Sequence, residues 1–330
     1  MSRVAVIGAG AWGTTLSILL AENGHAVTLW AYEADLVQQM KEGRENARFL
    51  PGFPLPAGIE VTGDPKKLAA AELCFIAVPT QHLRATVGKL AGDLNPDAIV
   101  ISAGKGIEDK TLKLPLEIIG EVTGRDNGDL CALSGPNLSA EIARGLPAVA
   151  VVAAGRRETA GQVRSALLAE RFRVYTNDDV TGVQLGGALK NVIAIAAGAA
   201  DGLGLGDNAK AGLLIRGIAE ITRLGVALGA RAETFAGLSG LGDLIATCAS
   251  KLSRNHRVGE QVAGGRKLKD ILAEMPAVAE GVPTTLAARA LGAKYKINLP
   301  ITEEVYQVLY KDKDAYRALS ALMTRLPTSE

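Results

Sequence analysis

Val4-Ala5-Val6-Ile7-Gly8-Ala9-Gly10-Ala11-Trp12-Gly13, with the helical run from Thr14 to Glu22 behind it, is the stretch that decides the fold. A short apolar strand runs straight into a Gly-x-Gly-x-x-Gly string, and a helix opens on the last glycine. Alone, such a string is weak evidence. Between a strand and a helix near the start of a chain, it is the fingerprint of a dinucleotide-binding βαβ unit. Gly8 permits the tight turn, Gly10 the approach of a pyrophosphate, and Gly13 close contact of helix and strand. The helix N-terminus adds unpaired N–H groups and the positive end of its dipole. The bland alternative is a glycine-rich turn with no ligand, and the strand–turn–helix context argues against it.

Outward from this unit, short β-branched runs alternate with amphipathic segments up to about residue 176, the pattern of repeated βαβ units. The spacing predicts strands at 3–7, 26–30, 59–61, 73–78, 98–102, 130–133, 148–152 and 173–175. Several are almost wholly apolar, as strands covered on both faces by helices should be. Beyond Asp178 the chain turns to Ala-, Leu- and Gly-rich segments with helical spacing, at 178–202, 209–228, 259–264, 268–273, 284–291 and 315–322. The expected architecture is an α/β domain over residues 1–180 and an all-α domain over 181–330. No Pro/Ser-rich linker separates them, so the two should pack directly.

Of the 330 residues, 48% are hydrophobic and 22% charged, ordinary values that exclude disordered, collagen-like and coiled-coil chains. Lys and Arg total 36 against 35 Asp and Glu, a formal net charge of +1. Such a chain offers no global field to nucleic acid or an anionic membrane, so an anionic ligand must be captured locally. Cys74, Cys131 and Cys248 are odd in number and lack CxxC spacing, which fits a reducing compartment better than disulfides or zinc. Arg3 precedes an apolar run that could pass for a secretory signal, but Gly8, Gly10 and Gly13 break it and Glu22-Asn23-Gly24-His25 is no cleavage site. The most apolar stretch, 183–206, carries Lys190, Asn191 and Asp201 and does not read as a membrane span.

Cofactor choice is read at the end of the second strand. Glu33 can accept hydrogen bonds from ribose hydroxyls, and no Arg or Lys occurs before Lys41, so the region leans to NAD over NADP. Glu33 equally suits the first turn of the next helix. In a doubly wound sheet the substrate lies beyond the carboxyl ends of the strands, which draws notice to Val78-Pro79-Thr80, Gly104-Lys105-Gly106, Ser134-Gly135-Pro136-Asn137 and, in the helical half, Glu280-Gly281-Val282. Lys105 is a cation between two glycines, a ligand contact or a solvated surface lysine. Lys190 is the sharper anomaly, because its helix is apolar nearly all round. Burial there would lower its pKa from about 10.4 towards the range of a general base; snorkelling from a helix end is the alternative. Asp243, in a glycine-rich apolar turn, is either that lysine's partner or a helix N-cap. Ser253-Arg254-Asn255 sets hydroxyl, guanidinium and amide ahead of a helix expected near Val258, as a phosphate clamp requires. The scattered His25, His82 and His256 support neither a metal site nor a Ser-His-Asp triad. A buried lysine, a nicotinamide fold and a phosphate clamp point to hydride transfer on a phosphorylated alcohol or ketone.

Together these motifs resemble the NAD(P)-dependent glycerol-3-phosphate dehydrogenases of bacteria. The likeness runs through Gly8–Thr14, Phe49-Leu50-Pro51-Gly52, Ala103-Gly104-Lys105-Gly106, Leu133-Ser134-Gly135-Pro136, Leu189-Lys190-Asn191, the segment 202–211, Gly240-Leu241-Gly242-Asp243, Ser253-Arg254-Asn255 and Glu280-Gly281-Val282. It implies a Rossmann-like first domain, a helical second one, a cytoplasmic homodimer, and reversible reduction of dihydroxyacetone phosphate to sn-glycerol 3-phosphate for glycerophospholipid synthesis. By the resemblance Lys190 would accept the proton, with Lys105 and Asp243 around the reacting group. Ser253, Arg254 and Asn255 would hold the substrate, and Gly135 and Asn137 would complete its pocket. Besides Gly8, Gly10 and Gly13, the cofactor positions would be Ala11, Trp12, Tyr32, Phe49, Lys105, Ser139, Arg254, Val278 and Glu280. Tyr32 stands where bacterial members often carry a basic residue, Ala11 replaces a common Ser, and Asn137-Leu138-Ser139 replaces a usual Ser/Thr-Phe-Ala run. A ketoacid reductase of the same plan and a non-catalytic dinucleotide sensor are the alternatives. Retention of Lys190, Asp243 and Arg254 together argues against the sensor.

Overall fold

The computed structural model describes residues 1–275 and 277–325, so Pro276 and residues 326–330 of the expected helical domain lie outside the described residues. The first half contains β1 (Arg3–Ile7), α1 (Ala11–Glu22), β2 (Ala26–Trp30), α2 (Ala34–Gly43), β3 (Ile59–Thr62), β4 (Leu73–Ile76), α3 (Thr80–Leu90), β5 (Ile99–Ser102), α4 (Pro115–Thr123), β6 (Leu130–Ser134), α5 (Ser139–Ala143), β7 (Ala148–Ala154), α6 (Arg157–Leu167) and β8 (Phe172–Asn177). All eight strands join one sheet in the order β3-β2-β1-β4-β5-β6-β7-β8. Side chains alternate between its two faces. Val4 and Val6 enter a core beneath α1, α2 and α6, while Ala5 and Ile7 enter another with Leu83 and Val87 of α3 and Ile118 of α4. This is the α/β Rossmann-like domain that the sequence predicts.

The register aligns the strand ends that matter. Ile7 pairs with Ile76, and Ile76 with Ser102, so the loops that follow β1, β4 and β5 leave the sheet side by side at one edge. The β6–β7 pairing alone is antiparallel, so β7 and β8, parallel to each other, run opposite to the other six strands. The connection explains it. α5 has only five residues, a rise of about 8 Å, too short to recross a strand of about 17 Å. β7 therefore starts at the edge where β6 ends.

The second half is helical: α7 (Val180–Gly202), α8 (Gly206–Ala227), α9 (Ala232–Phe235), a π-type turn at Leu238–Gly242, α10 (Asp243–Ala249), α11 (Arg254–Ala263), α12 (Leu268–Glu274), α13 (Gly281–Tyr295), α14 (Pro300–Tyr310) and α15 (Ala315–Met323). α9, α10 and α14 lie outside the helices expected from the spacing, and α11 begins five residues earlier than expected. α7 is the axis of this half, with Leu185, Ala188, Leu189, Val192 and Ile193 all buried in its core. By length and apolarity α7 alone, among the described residues, passes the test for a membrane-crossing helix, but 83% of its most apolar window is buried inside the protein. Its surface is satisfied by packing. α11 crosses α7 with backbones in contact: a Cβ on Gly198 would lie 1.9 Å from the His256 carbonyl oxygen. That closeness fixes where the first turn of α11 sits.

Candidate active site

At the nucleotide end the structure gives each glycine of the fingerprint a distinct duty. Gly8 has φ +103°, and a Cβ there would meet the Ala77 carbonyl oxygen at 2.8 Å; a Cβ on Gly13 would lie 1.9 Å from the Gly8 carbonyl oxygen. Both positions are closed to any side chain. A Cβ on Gly10, by contrast, meets nothing within 4 Å. Gly10 caps α1 without a side-chain bond, so the first N–H groups of the helix face open space. Trp12 adds a buried Nε1 donor with no partner among the described residues. Free helix N–H groups, an unpaired donor and room for a close approach fit the pyrophosphate of a dinucleotide. Asn46, fully buried, braces this turn by donating to the Ala9 carbonyl (2.8 Å) and Thr14 Oγ1 (2.7 Å), and its own Oδ1 accepts from the Phe49 N–H. The sequence motif at Phe49 is thus tied to the glycine loop.

Tyr32, 67% exposed, stands at the end of β2 with its ring edge-on to Trp30 and the Lys89 ammonium 5.2 Å from its centroid. Glu33 caps α2 without a side-chain bond and stays exposed. Lys89, on α3, is a cation at this edge that a search along the chain before Lys41 does not find. Ser139 opens α5, where its carbonyl accepts from Thr15 Oγ1 at 3.3 Å, and Val278 is 39% exposed.

The chemistry-bearing residues meet where the two halves touch. Asp243, the first residue of α10 and 2% exposed, accepts from Lys190 Nζ on Oδ1 at 2.9 Å and from Lys105 Nζ on Oδ2 at 2.8 Å. Two ammonium groups thus share one buried carboxylate. Thr247, one helical turn after Asp243, ties the set together: its Oγ1 accepts from Lys190 Nζ at 2.6 Å and donates to Asp243 Oδ1 at 3.1 Å. Lys105 also donates to the Gly135 carbonyl at 2.7 Å. Its side chain is 15% exposed, so it is no solvated surface lysine. Burial lowers its pKa, and Lys190 adds to that, while Asp243 opposes them. For Asp243, burial pushes the pKa up, but the charges and hydrogen bonds of Lys105 and Lys190 win and hold it below the usual carboxylate range. An ammonium with a lowered pKa is closer to trading a proton near neutrality.

Ser253 caps α11, its Oγ accepting from the His256 N–H at 3.2 Å. Arg254 and Asn255 therefore lie in the first turn of the helix, not ahead of it. Arg254 keeps solvent access and makes no ion pair or hydrogen bond among the described residues. Partial desolvation of the guanidinium by neighbouring protein lowers its pKa, against the support of the Glu280 charge. An unpaired guanidinium at a helix N-terminus is built to meet an anion. Asn255 is engaged within the protein, donating to Asn191 Oδ1 (2.8 Å). Asn137 donates to the Val149 carbonyl (3.3 Å) while its Oδ1 is buried and has no partner among the described residues. Among the described residues no three His, Cys, Asp or Glu side chains converge as metal ligands would.

Thr247, Asn191 and Asn46 are the participants the sequence reading missed. Thr247 carried a usable signal, its spacing of four from Asp243, visible only once residues 243–249 are known to be helical.

Comparison with known proteins gives the family. Family models described as NAD-dependent glycerol-3-phosphate dehydrogenase N-terminus and C-terminus match residues 3–160 and 179–320. A glycerol-3-phosphate dehydrogenase [NAD(P)+] of Geobacter sp. (strain M21) is 49% identical over 325 residues, 98% of this chain and 97% of its own. One from Moorella thermoacetica is 48% identical over 328 residues, 99% of this chain and 97% of its own. The crystal structure of a glycerol-3-phosphate dehydrogenase from Coxiella burnetii is similar, with a TM-score of 0.94 at 35% identity, covering 98% of this chain and 99% of that one.

Proposed function

The chain belongs to the NAD-dependent glycerol-3-phosphate dehydrogenase family, and from that premise we propose that it interconverts dihydroxyacetone phosphate and sn-glycerol 3-phosphate with NAD or NADP. The observation that carries the reading is the Lys105–Asp243–Lys190 cluster together with the unpaired Arg254 at the start of α11, Lys105 and Arg254 both being within reach of the Glu280 charge. One holds a proton-trading site, the other an anion site.

The nicotinamide, when bound, supplies or takes the hydride. The protein's own residues do the rest. The turn Gly8–Gly13, with Ala11 and Trp12, receives the pyrophosphate on the N-terminus of α1. Tyr32 and Phe49 lie on the nucleotide side, and Ser139 and Val278 nearer the nicotinamide. Glu33 keeps the lean towards NAD. Arg254, with Ser253 and Asn255, holds the substrate phosphate, and Gly135 and Asn137 close the pocket around the three-carbon chain. As the neutral amine Lys190 takes the hydroxyl proton in oxidation, and as the ammonium it returns that proton in reduction, while Lys105 stabilises negative charge on the carbonyl oxygen. Asp243 keeps both ammonium groups in place and balances their charge.

The functional division falls near residue 180, between a nucleotide domain and a helical substrate domain. A homodimer, a cytoplasmic setting and supply of glycerophospholipid synthesis complete the reading; the unpaired, buried Cys74, Cys131 and Cys248 support a reducing compartment. Replacing Arg254 by Ala tests the phosphate assignment. KM for dihydroxyacetone phosphate should rise by about 10²-fold or more, as for loss of a charge-assisted anion contact of roughly 3 kcal/mol, with turnover of unphosphorylated dihydroxyacetone hardly changed. Equal losses on both substrates would remove Arg254 from the phosphate site.

A further inference from the structure

The backbone of Lys105 is gripped on both sides by the helical half. Its N–H donates to Glu280 Oε2 at 3.3 Å, and its carbonyl accepts from Asn191 Nδ2 at 2.9 Å. Asn191 Oδ1 accepts from Asn255 Nδ2 at 2.8 Å, and Asn255 Oδ1 accepts at 2.9 Å from the N–H of Gly281, the residue after Glu280. The hydrogen bonds close a ring through α7, α11 and the start of α13, with the backbone of a single residue of the nucleotide half held inside it. Glu280 Oε1 accepts in turn from the Thr80 N–H at 2.7 Å, at the first turn of α3. One carboxylate thereby holds the loops that follow both β4 and β5. The fit is flush: a Cβ on Gly106 would lie 2.6 Å from Thr80 Oγ1 and 3.0 Å from Glu280 Oε1.

We propose that Glu280 is a positioning residue, which fixes the Lys105 backbone and through it the Lys105 ammonium against Asp243 and Lys190. The resemblance puts Glu280 on the cofactor. In the structure both of its oxygens are engaged by the protein's own N–H groups, one of them at a helix N-terminus where a carboxylate is favoured. Its partners belong to the nucleotide half and Glu280 to the helical half, so it also sets how the halves meet at the reacting atoms. Lys105 is the one side chain of the cluster carried by the nucleotide half. Loosening its backbone moves the ammonium relative to both groups it works with, and misplacement by about 1 Å is enough to cost roughly 10²-fold in rate. The catalytic part of this inference rests on the dehydrogenase reading; the mechanical part does not.

Two variants and two readouts test it. Glu280→Ala removes both acceptors, and Glu280→Gln keeps the size but turns an amide N–H towards one of the two donors. Amide hydrogen exchange, measured without substrate, should quicken at Thr80 and in residues 104–106 in both variants. At saturating NADH, kcat with dihydroxyacetone phosphate should fall about 10²-fold in Ala and about 10-fold in Gln, while the NADH dissociation constant stays within about threefold. Unchanged exchange overturns the proposal, and so does a kcat kept at saturating cofactor with NADH binding weakened tenfold, the signature of a cofactor contact. Should the Ala variant not fold, the Gln variant carries both measurements. A wild-type protein that fails to turn over dihydroxyacetone phosphate defeats the dehydrogenase reading, and the exchange data still decide the role of Glu280.

Discussion

Asp243→Asn is the substitution that strains the site most with least change of shape. The carboxylate is 2% exposed and its contacts to Lys105 and Lys190 are 2.8 and 2.9 Å. At an effective dielectric of about 20, each contact is an attraction of roughly 5–6 kcal/mol before desolvation is counted. Asn keeps one acceptor oxygen and presents its amide N–H to the other ammonium. Breaking one member of a buried pair costs about 3–5 kcal/mol net, because the remaining charge is left uncompensated. The variant has an escape from that penalty: one lysine can discharge. Burial already lowers the pKa of Lys105, and Asp243 is the main charge opposing it, so the substitution drives that pKa further down. A lysine whose folded pKa is depressed makes the folded state bind fewer protons than the unfolded one, and stability then rises with pH between the folded value and about 10.4. Chemical denaturation of wild type and variant should show a deficit of about 3–5 kcal/mol near pH 6, clearly smaller near pH 9. The wild-type carboxylate adds a rise of the same sign in a lower pH window. Its lowered pKa contributes stability above its unfolded value, and that is lost as pH falls through the folded one. A deficit under about 1 kcal/mol, equal at both pH values, would refute the claim that the two ammonium groups depend on Asp243.

Other expectations follow from the same geometry. Lys190→Ala should lower kcat by about 10³-fold or more while leaving the NADH dissociation constant within about threefold, because a group acting on the transferring proton matters chiefly in the transition state; stopped-flow turnover and fluorescence titration separate the two. Gly13→Ala, whose Cβ would lie 1.9 Å from the Gly8 carbonyl oxygen, should cost about 3 kcal/mol in denaturant unfolding by forcing helix from strand. Gly10→Ala, with nothing of the protein within 4 Å of the added carbon, should unfold like wild type yet bind NADH more weakly.

The nucleotide half was legible because its physics is local. A strand buried on both faces is an apolar run, so 3–7 and 98–102 stand out between amphipathic helices. The fingerprint glycines were legible because backbone approach excludes side chains. Lys190 was conspicuous as a lysine on a helix apolar all round, and Asp243 as a lone carboxylate in an apolar turn. The antiparallel course of β7 was not legible, since it depends on α5 being too short to recross the sheet. Nor was α10: the glycines of Leu238–Gly242 read as a loop, and the π-type turn they form delivers Asp243 and Thr247 on one face. α14 escaped for a related reason, its first turn being held by a residue 81 and 82 positions from the N–H groups it binds. Buried Glu220 of α8 accepts from the Ile301 and Thr302 N–H groups. Contacts of that range leave no periodic trace.

The proposed function has a proton-trading lysine cluster and an anion clamp acting on one phosphorylated three-carbon substrate. Its most direct test is oxidation of NADH and of NADPH by the purified protein, followed by the loss of reduced-nicotinamide absorbance, with dihydroxyacetone phosphate against unphosphorylated ketoacids. Turnover confined to dihydroxyacetone phosphate is expected, with NADH the better cofactor if Glu33 rather than Lys89 governs the end of β2. Turnover of a ketoacid and none of dihydroxyacetone phosphate would contradict it, leaving the fold and the lysines but no phosphate site at Arg254.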